Sequence, residues 1–146
     1  MTIIKKRSIL ILLMLNFSCD TPSKIFYGNW SWTSIDEKYY EVLIDSNRLI
    51  GYRHSFLYPR EFKILNDSLF VDKINDHEFD LSYKIKVINK NKILLISDKV
   101  HNIELNRIKP NNFTIDSIKS KKDEYKFELE FGAREETWKN NYKKFR

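Results

Sequence analysis

The sequence predicts a mainly β fold. The expected form is an antiparallel up-and-down barrel of about eight short strands, with a C-terminal hairpin, helix or both and a short apolar helix in front. Two observations carry this. First, eight β-favouring segments recur between residues 26 and 108, each closed by turn-forming Asn, Asp, Ser or Pro. A strand about every ten residues belongs to sandwiches and barrels rather than to βαβ units. Second, residues 79–87 alternate without exception: Phe79, Leu81, Tyr83, Ile85 and Val87 are apolar, and the residues between them are polar. A period of two gives one buried and one solvated face, as in an antiparallel sheet wrapped around a core.

The chain has 146 residues, 42% hydrophobic and 32% charged, which is the size and composition of a single globular domain. Three Gly and three Pro exclude collagen-like and flexible low-complexity chains. One Cys excludes a disulfide framework and multi-Cys metal sites. There is no Walker loop, GxGxxG, GxSxG or HExxH.

The first element is the leader, residues 1–18. Lys5, Lys6 and Arg7 precede an apolar run at residues 8–17, broken only by Asn16. Ten residues are too few for a helix to cross a bilayer core, which needs about 20, but they suit the apolar region of a secretory signal. The only Cys, Cys19, follows Ser18 at the end of that run. Here the segment resembles a bacterial lipoprotein signal peptide, although Asn16 and Phe17 stand where Leu and Ala or Ser are commonest. The resemblance implies cleavage before Cys19, acylation of Cys19, and anchoring to a membrane of the cell envelope. One acyl chain binds membranes with a constant of only about 10⁴ M⁻¹, whereas two or more hold a protein stably. Residues 19–25 then form the lipidated Cys and a polar linker.

Cleavage changes the charge. The full chain carries +6, and loss of Lys5, Lys6 and Arg7 leaves 23 basic against 20 acidic residues, or +3. A nearly balanced surface is not the footprint of a nucleic-acid binder, so no nucleic-acid partner is expected. Lys, Ile and Asn supply 50 residues, so scattered Lys and Asn carry little functional meaning.

The barrel is expected over residues 26–109. Its strands are placed at 26–34, 39–44, 48–53, 60–65, 68–74, 78–88, 92–96 and 100–108, with a looser stretch ending at Pro59. Asn and Asp close them because these residues tolerate left-handed backbone and bond their own main chain. In the last strand, parity puts Arg107 on the same inward face as Ile103 and Leu105. An inward Arg requires a partner. The run Phe26-Tyr27-Gly28-Asn29-Trp30 holds a Gly-x-Trp at the start of the first strand, and with Arg107 it resembles the lipocalin-like folds. The resemblance implies that Gly28 and Trp30 close one end of a barrel and that Arg107 packs on the indole, a cation–π contact.

Residues 110–146 form a C-terminal extension. Residues 113–118 and 125–131 read as a hairpin, and 133–145 as a helix with Trp138, Tyr142 and Phe145 on one face. One long helix from Glu124 fits the same aromatics, with Gly132 as its weak point.

No catalytic residue, cofactor or metal site is expected. The cluster Asn75-Asp76-His77-Glu78 lies in a turn, where Asn and Asp occur anyway, and His54 and His101 stand alone. Adjacent carboxylates such as Asp36-Glu37 point in different directions and do not form an acid–base pair. Two functions remain. The first is a binding module for a small apolar ligand, lined by the inward residues Tyr40, Val42, Phe79, Leu81, Tyr83 and Ile85. It requires a void of at least about 300 Å³, where ligand pockets begin. The second is an envelope protein with a side-chain-filled barrel that docks a protein or glycan. For it, the aromatic and cationic stretch 52–60, read as a loop, offers Tyr52, Phe56, Tyr58 and Arg60, residue types enriched at recognition hot spots.

Overall fold

The computed structural model describes residues 25–53, 55–72 and 81–144. The leader, Cys19, His54, the 75–78 turn, Phe79 and Phe145 lie outside the described residues.

Among the described residues, nine antiparallel strands form one sheet: β1 Gly28–Thr33, β2 Tyr39–Ile44, β3 Leu49–Arg53, β4 Phe56–Arg60, β5 Phe62–Leu65, β6 Ser68–Val71, β7 Leu81–Asn89, β8 Lys92–Ile96 and β9 Ile103–Arg107. Their order is β4-β3-β2-β1-β9-β8-β7-β6-β5. The first and last strands pair, Trp30 opposite Arg107. The two ends of the order, β4 and β5, are consecutive in the chain with only Glu61 between them. One bent segment therefore pairs with β3 through its first half and with β6 through its second. Counted this way there are eight staves, and the sheet is a nearly closed up-and-down barrel. At the bend the Asp72 N–H donates to the Glu61 carbonyl at 3.1 Å. Arg60 also reaches across, its guanidinium bonded to the Asp72 carboxylate at 3.2 Å and to the Asp72 carbonyl. Pro59, which has no N–H to give a ladder, sits beside the bend.

The stretch 52–60 is thus a strand pair and not the loop that its composition suggests. Tyr52, the next-to-last residue of β3, lies opposite Leu57, and Tyr58 lies opposite Gly51.

Alternation along the strands separates two cores. Inside the barrel lie Phe26, Trp30, Val42, Ile44, Leu69 and Ile93 among others, all buried. Fully burying one such apolar side chain stabilises by about 1.5–3 kcal/mol. Outside the wall, Leu43, Tyr52, Ile115 and Phe127 form a second buried cluster. This second core exists because a helix, α1 Lys121–Lys143, lies on the outer face of β2 and β3. Consequently β2 is buried on both faces.

The C-terminal extension is a short 3-10 turn, Ile115–Ser117, followed by this single 23-residue helix. The expected hairpin over 113–131 is corrected. Residues 125–131 satisfy a period of two, but Phe127 and Phe131 also stand four apart. The helix buries Phe127 and half-buries Phe131 against Tyr52, and leaves Tyr125 and Leu129 exposed at 65% and 59%. Ser120 caps the helix, its Oγ accepting from the Asp123 N–H. Gly132 has only open space around it, so it does not interrupt the packing.

Candidate functional site

The closed end of the barrel is built from Gly28, Trp30 and Arg107. Trp30 is fully buried and its Nε1 donates to the Phe26 carbonyl at 2.8 Å. The Arg107 guanidinium carbon lies 4.1 Å from the Trp30 ring centroid. Its Nε donates to the Lys90 carbonyl at 2.8 Å, Nη1 to Tyr27 at 3.0 Å, and Nη2 to Ile25. An inward guanidinium is tolerated here because three backbone carbonyls and a π face satisfy it. Gly28 has φ of +141°, and a Cβ there would stand 2.4 Å from Arg107 Nη1. The glycine is required both by its backbone and by the side chain laid over it.

Above this plug the sequence-predicted lining residues Tyr40, Val42, Leu81, Tyr83 and Ile85 face inward or pack against the inner core; Phe79 lies outside the described residues. They mostly fill the space themselves. Tyr40 stacks on Trp32 at 5.1 Å. The Tyr58 ring covers Gly51, where a Cβ would lie 2.4 Å from its carbons. What remains is an apolar void of about 160 Å³, bordered by Trp32, Leu69, Tyr83 and Leu105, with Arg60 at its margin. Burial pushes the Tyr83 phenol above its ordinary range, so it stays neutral. This void is about half the volume at which ligand pockets begin.

The residues expected on one binding loop are dispersed. Tyr52 is buried under α1, edge-on to Phe127 at 4.7 Å and to Phe131 at 4.6 Å. Tyr58 points into the barrel and Arg60 is tied to Asp72. Of the four, only Phe56 is strongly exposed, at 72%.

Outside the wall, sequence reasoning missed the pair that fastens α1. Glu41 is wholly buried and accepts from Arg134 Nε at 2.7 Å, Arg134 Nη2 at 3.0 Å and the Tyr39 hydroxyl at 2.9 Å. Burial and the adjacent Glu41 carboxylate push the Tyr39 phenol far above its ordinary range, so it serves as a donor. The signal was a lone carboxylate inside the apolar run Tyr39-Tyr40-Glu41-Val42-Leu43-Ile44.

Along the flank of α1 facing the β3–β4 hairpin run two adjoining recesses of about 280 and 260 Å³, which share Tyr52, Ser55 and Glu128. Their floor is aromatic: Tyr39, Tyr52, Phe127 and Phe131. Glu124, Glu128 and Glu135 line the helix side, and Phe56 and Leu57 the hairpin side. On the other flank, shallower recesses of about 340 and 440 Å³ lie against β1 and β9. Every one of these outer recesses exceeds the interior void.

Among the described residues no group of three or more His, Cys, Asp or Glu is placed to hold a metal. His101 is exposed. No described helix is long and apolar enough to cross a membrane. Compared with family models, curated proteins and solved structures, the chain matches none of them.

Proposed function

We propose that this chain is a bacterial cell-envelope lipoprotein, tethered through acyl chains on Cys19, whose lipocalin-like barrel is filled by side chains and serves as a rigid frame for docking a partner on its outer wall. The observation that carries this is one of volume. The interior void is about 160 Å³, whereas the two adjoining recesses beside α1 are about 280 and 260 Å³. A barrel of this size either fills with side chains or keeps room for one small ligand, and ligand pockets begin at about 300 Å³.

The tether fits this reading. Residues 20–24 span at most about 18 Å when extended, and the chain joins the barrel at Ile25, beside Arg107 at the closed end. The plugged end then faces the membrane, and the helix-covered wall stands to the side, open to a partner.

The test compares native and denatured masses of the protein purified from its own membranes in mild detergent. The expected result is a denatured mass lacking residues 1–18 and carrying acyl chains on Cys19, with an equal native mass. A native mass larger by a small-molecule increment would show a ligand in the barrel and overturn the filled-frame reading in favour of a carrier of a small apolar ligand. An unmodified Cys19 would overturn the tether.

A further inference from the structure

We propose that the trough between α1 and the β3–β4 hairpin binds an extended segment of a partner protein in which basic and apolar residues alternate. This rests on the reading that the docking surface lies outside the barrel, and it names the partner's chemistry.

The trough has two unlike lips and an aromatic floor. The helix lip is acidic. Glu124 and Glu128 stand four residues apart on one face, where such side chains are about 5–6 Å apart at Cβ. Neither makes an ion pair among the described residues, whereas Glu135 is paired with Lys139 at 3.3 Å. The hairpin lip is apolar: Phe56 is 72% exposed and Leu57 37% exposed. Between the lips lie the rings of Tyr52 and Phe127, edge to face at 4.7 Å. Exposed Phe and Leu contiguous with a concave aromatic floor make an apolar patch rimmed by charge, the arrangement that marks interaction sites.

Geometry and charge select the occupant. In an extended chain, alternate side chains point to opposite sides, and residues i and i+2 lie about 6.6 Å apart. A strand laid along the trough would set two basic residues against Glu124 and Glu128 and its intervening apolar residue against Phe56 and Leu57. From Glu124 to Glu135 the helix rises about 16 Å, which is room for about five extended residues. An acidic segment would meet like charge on the helix lip. The trough also has a polarity: at its Glu135 end stands Lys38, paired with Asp36 at 2.7 Å, so the basic residues belong at the Glu124–Glu128 end. The nearby Lys126 does not neutralise them, since its Nζ sits 4.4 Å over the Phe113 ring.

The experiment uses the full-length protein in mild detergent and two capped probe peptides, Leu-Lys-Leu-Lys-Leu and Leu-Glu-Leu-Glu-Leu, with protein-free micelles as the blank. Binding is read by calorimetry and by amide shifts of α1 and β3–β4. The basic peptide is expected to bind and to shift those amides, and the acidic one is not. The double variant Glu124→Gln/Glu128→Gln should weaken binding about five- to tenfold, as two exposed charge pairs allow. Phe56→Ser should weaken it by a similar factor. Glu136→Gln, exposed on another face, should leave it unchanged, and high salt should weaken it. Unchanged melting temperatures show that the variants are folded. Equal binding of both peptides, no binding of the basic one, or undiminished binding to the double variant would each overturn the inference. A ligand found inside the barrel would overturn the filled-frame reading instead, so the two failures are distinguishable.

Discussion

Replacing Arg134 with Met tests what fastens α1 to the barrel wall. The substitution keeps most of the aliphatic volume and removes the charge. It takes two of the three hydrogen bonds from Glu41, at 2.7 and 3.0 Å, and leaves only the Tyr39 hydroxyl at 2.9 Å. Glu41 has zero exposure, so water cannot replace the lost donors without moving the helix. Removing one partner from a buried ion pair costs about 3–5 kcal/mol. The remaining hold on α1 is apolar. Phe127 is the one fully buried side chain on the helix, and its burial contributes about 2–3 kcal/mol, with smaller contributions from the half-buried Phe131 on Tyr52 and Trp138 on Tyr39. The penalty therefore rivals the attraction that remains, and the helix is expected to lift while the barrel persists. Urea unfolding should split into two phases. The first should be seen through Trp138, which lies 6.0 Å from Tyr39, and the second through the interior Trp30. Hydrogen exchange should speed up across α1 while β7 and β8 keep their protection. The double variant Glu41→Leu/Arg134→Met should regain most of the loss, because an apolar pair of similar volume commonly replaces a buried ion pair without cost. A loss below about 1 kcal/mol for Arg134→Met, the range of an exposed pair, would refute the reasoning. So would a double variant no better than the single.

At the closed end, Gly28→Ala should destabilise the barrel by at least about 1–3 kcal/mol from backbone strain alone, since φ is +141° and the new Cβ would meet Arg107 Nη1 at 2.4 Å; a melting temperature equal to that of the parent would refute this. In the β1–β2 turn, hydrogen bonds from Lys38 and then Ser34 hold the Asp36 carboxyl down to about 2 from 3.8. Its folded value lies below its unfolded one, so its contribution is present above about pH 4 and is lost as pH falls through about 2. An NMR titration should place the Asp36 midpoint near 2, and Lys38→Ala should return it towards 3.8; an ordinary midpoint in the parent would refute the pairing.

The barrel was largely legible in the sequence because its strands obey a single rule. Leu81, Tyr83, Ile85 and Val87 alternate with polar residues, and the structure puts all four in or against the inner core. The same parity, applied to Ile103, Leu105 and Arg107, turns Arg107 towards Trp30. The rule fails for β4, whose Phe56-Leu57-Tyr58-Pro59-Arg60 shows no period: Phe56 and Leu57 are exposed, and Pro59 sits beside the bend. Without alternation the stretch reads as a loop. The segment 125–131 misleads for the opposite reason, since it satisfies two periods at once, and only the partner face on β2 and β3 selects the helical one. The Glu41–Arg134 pair joins residues 93 apart. Its carboxylate stood out in an apolar run, but nothing local names the cation that meets it.

The placement of the open space follows from the same physics that built the two cores. The interior is small in bore, and much of what points into it is large: Phe26, Trp30, Trp32, Tyr40, Tyr58 and Tyr83. An eight-staved barrel is just wide enough for side chains to fill, and this many rings leaves only a residue of void. The outer wall cannot be closed in the same way. A sheet in a barrel twists and curves, while α1 is one regular helix of 23 residues. The two surfaces touch along one line, through Leu43, Tyr52, Phe127 and Phe131, and diverge on either side of it. The divergence on the hairpin side produces the aromatic-floored trough. Aromatic residues that elsewhere would line an internal pocket are shared between a filled core and this flank. A partner that binds here meets a surface whose shape is set by the barrel and whose charge is set by the helix.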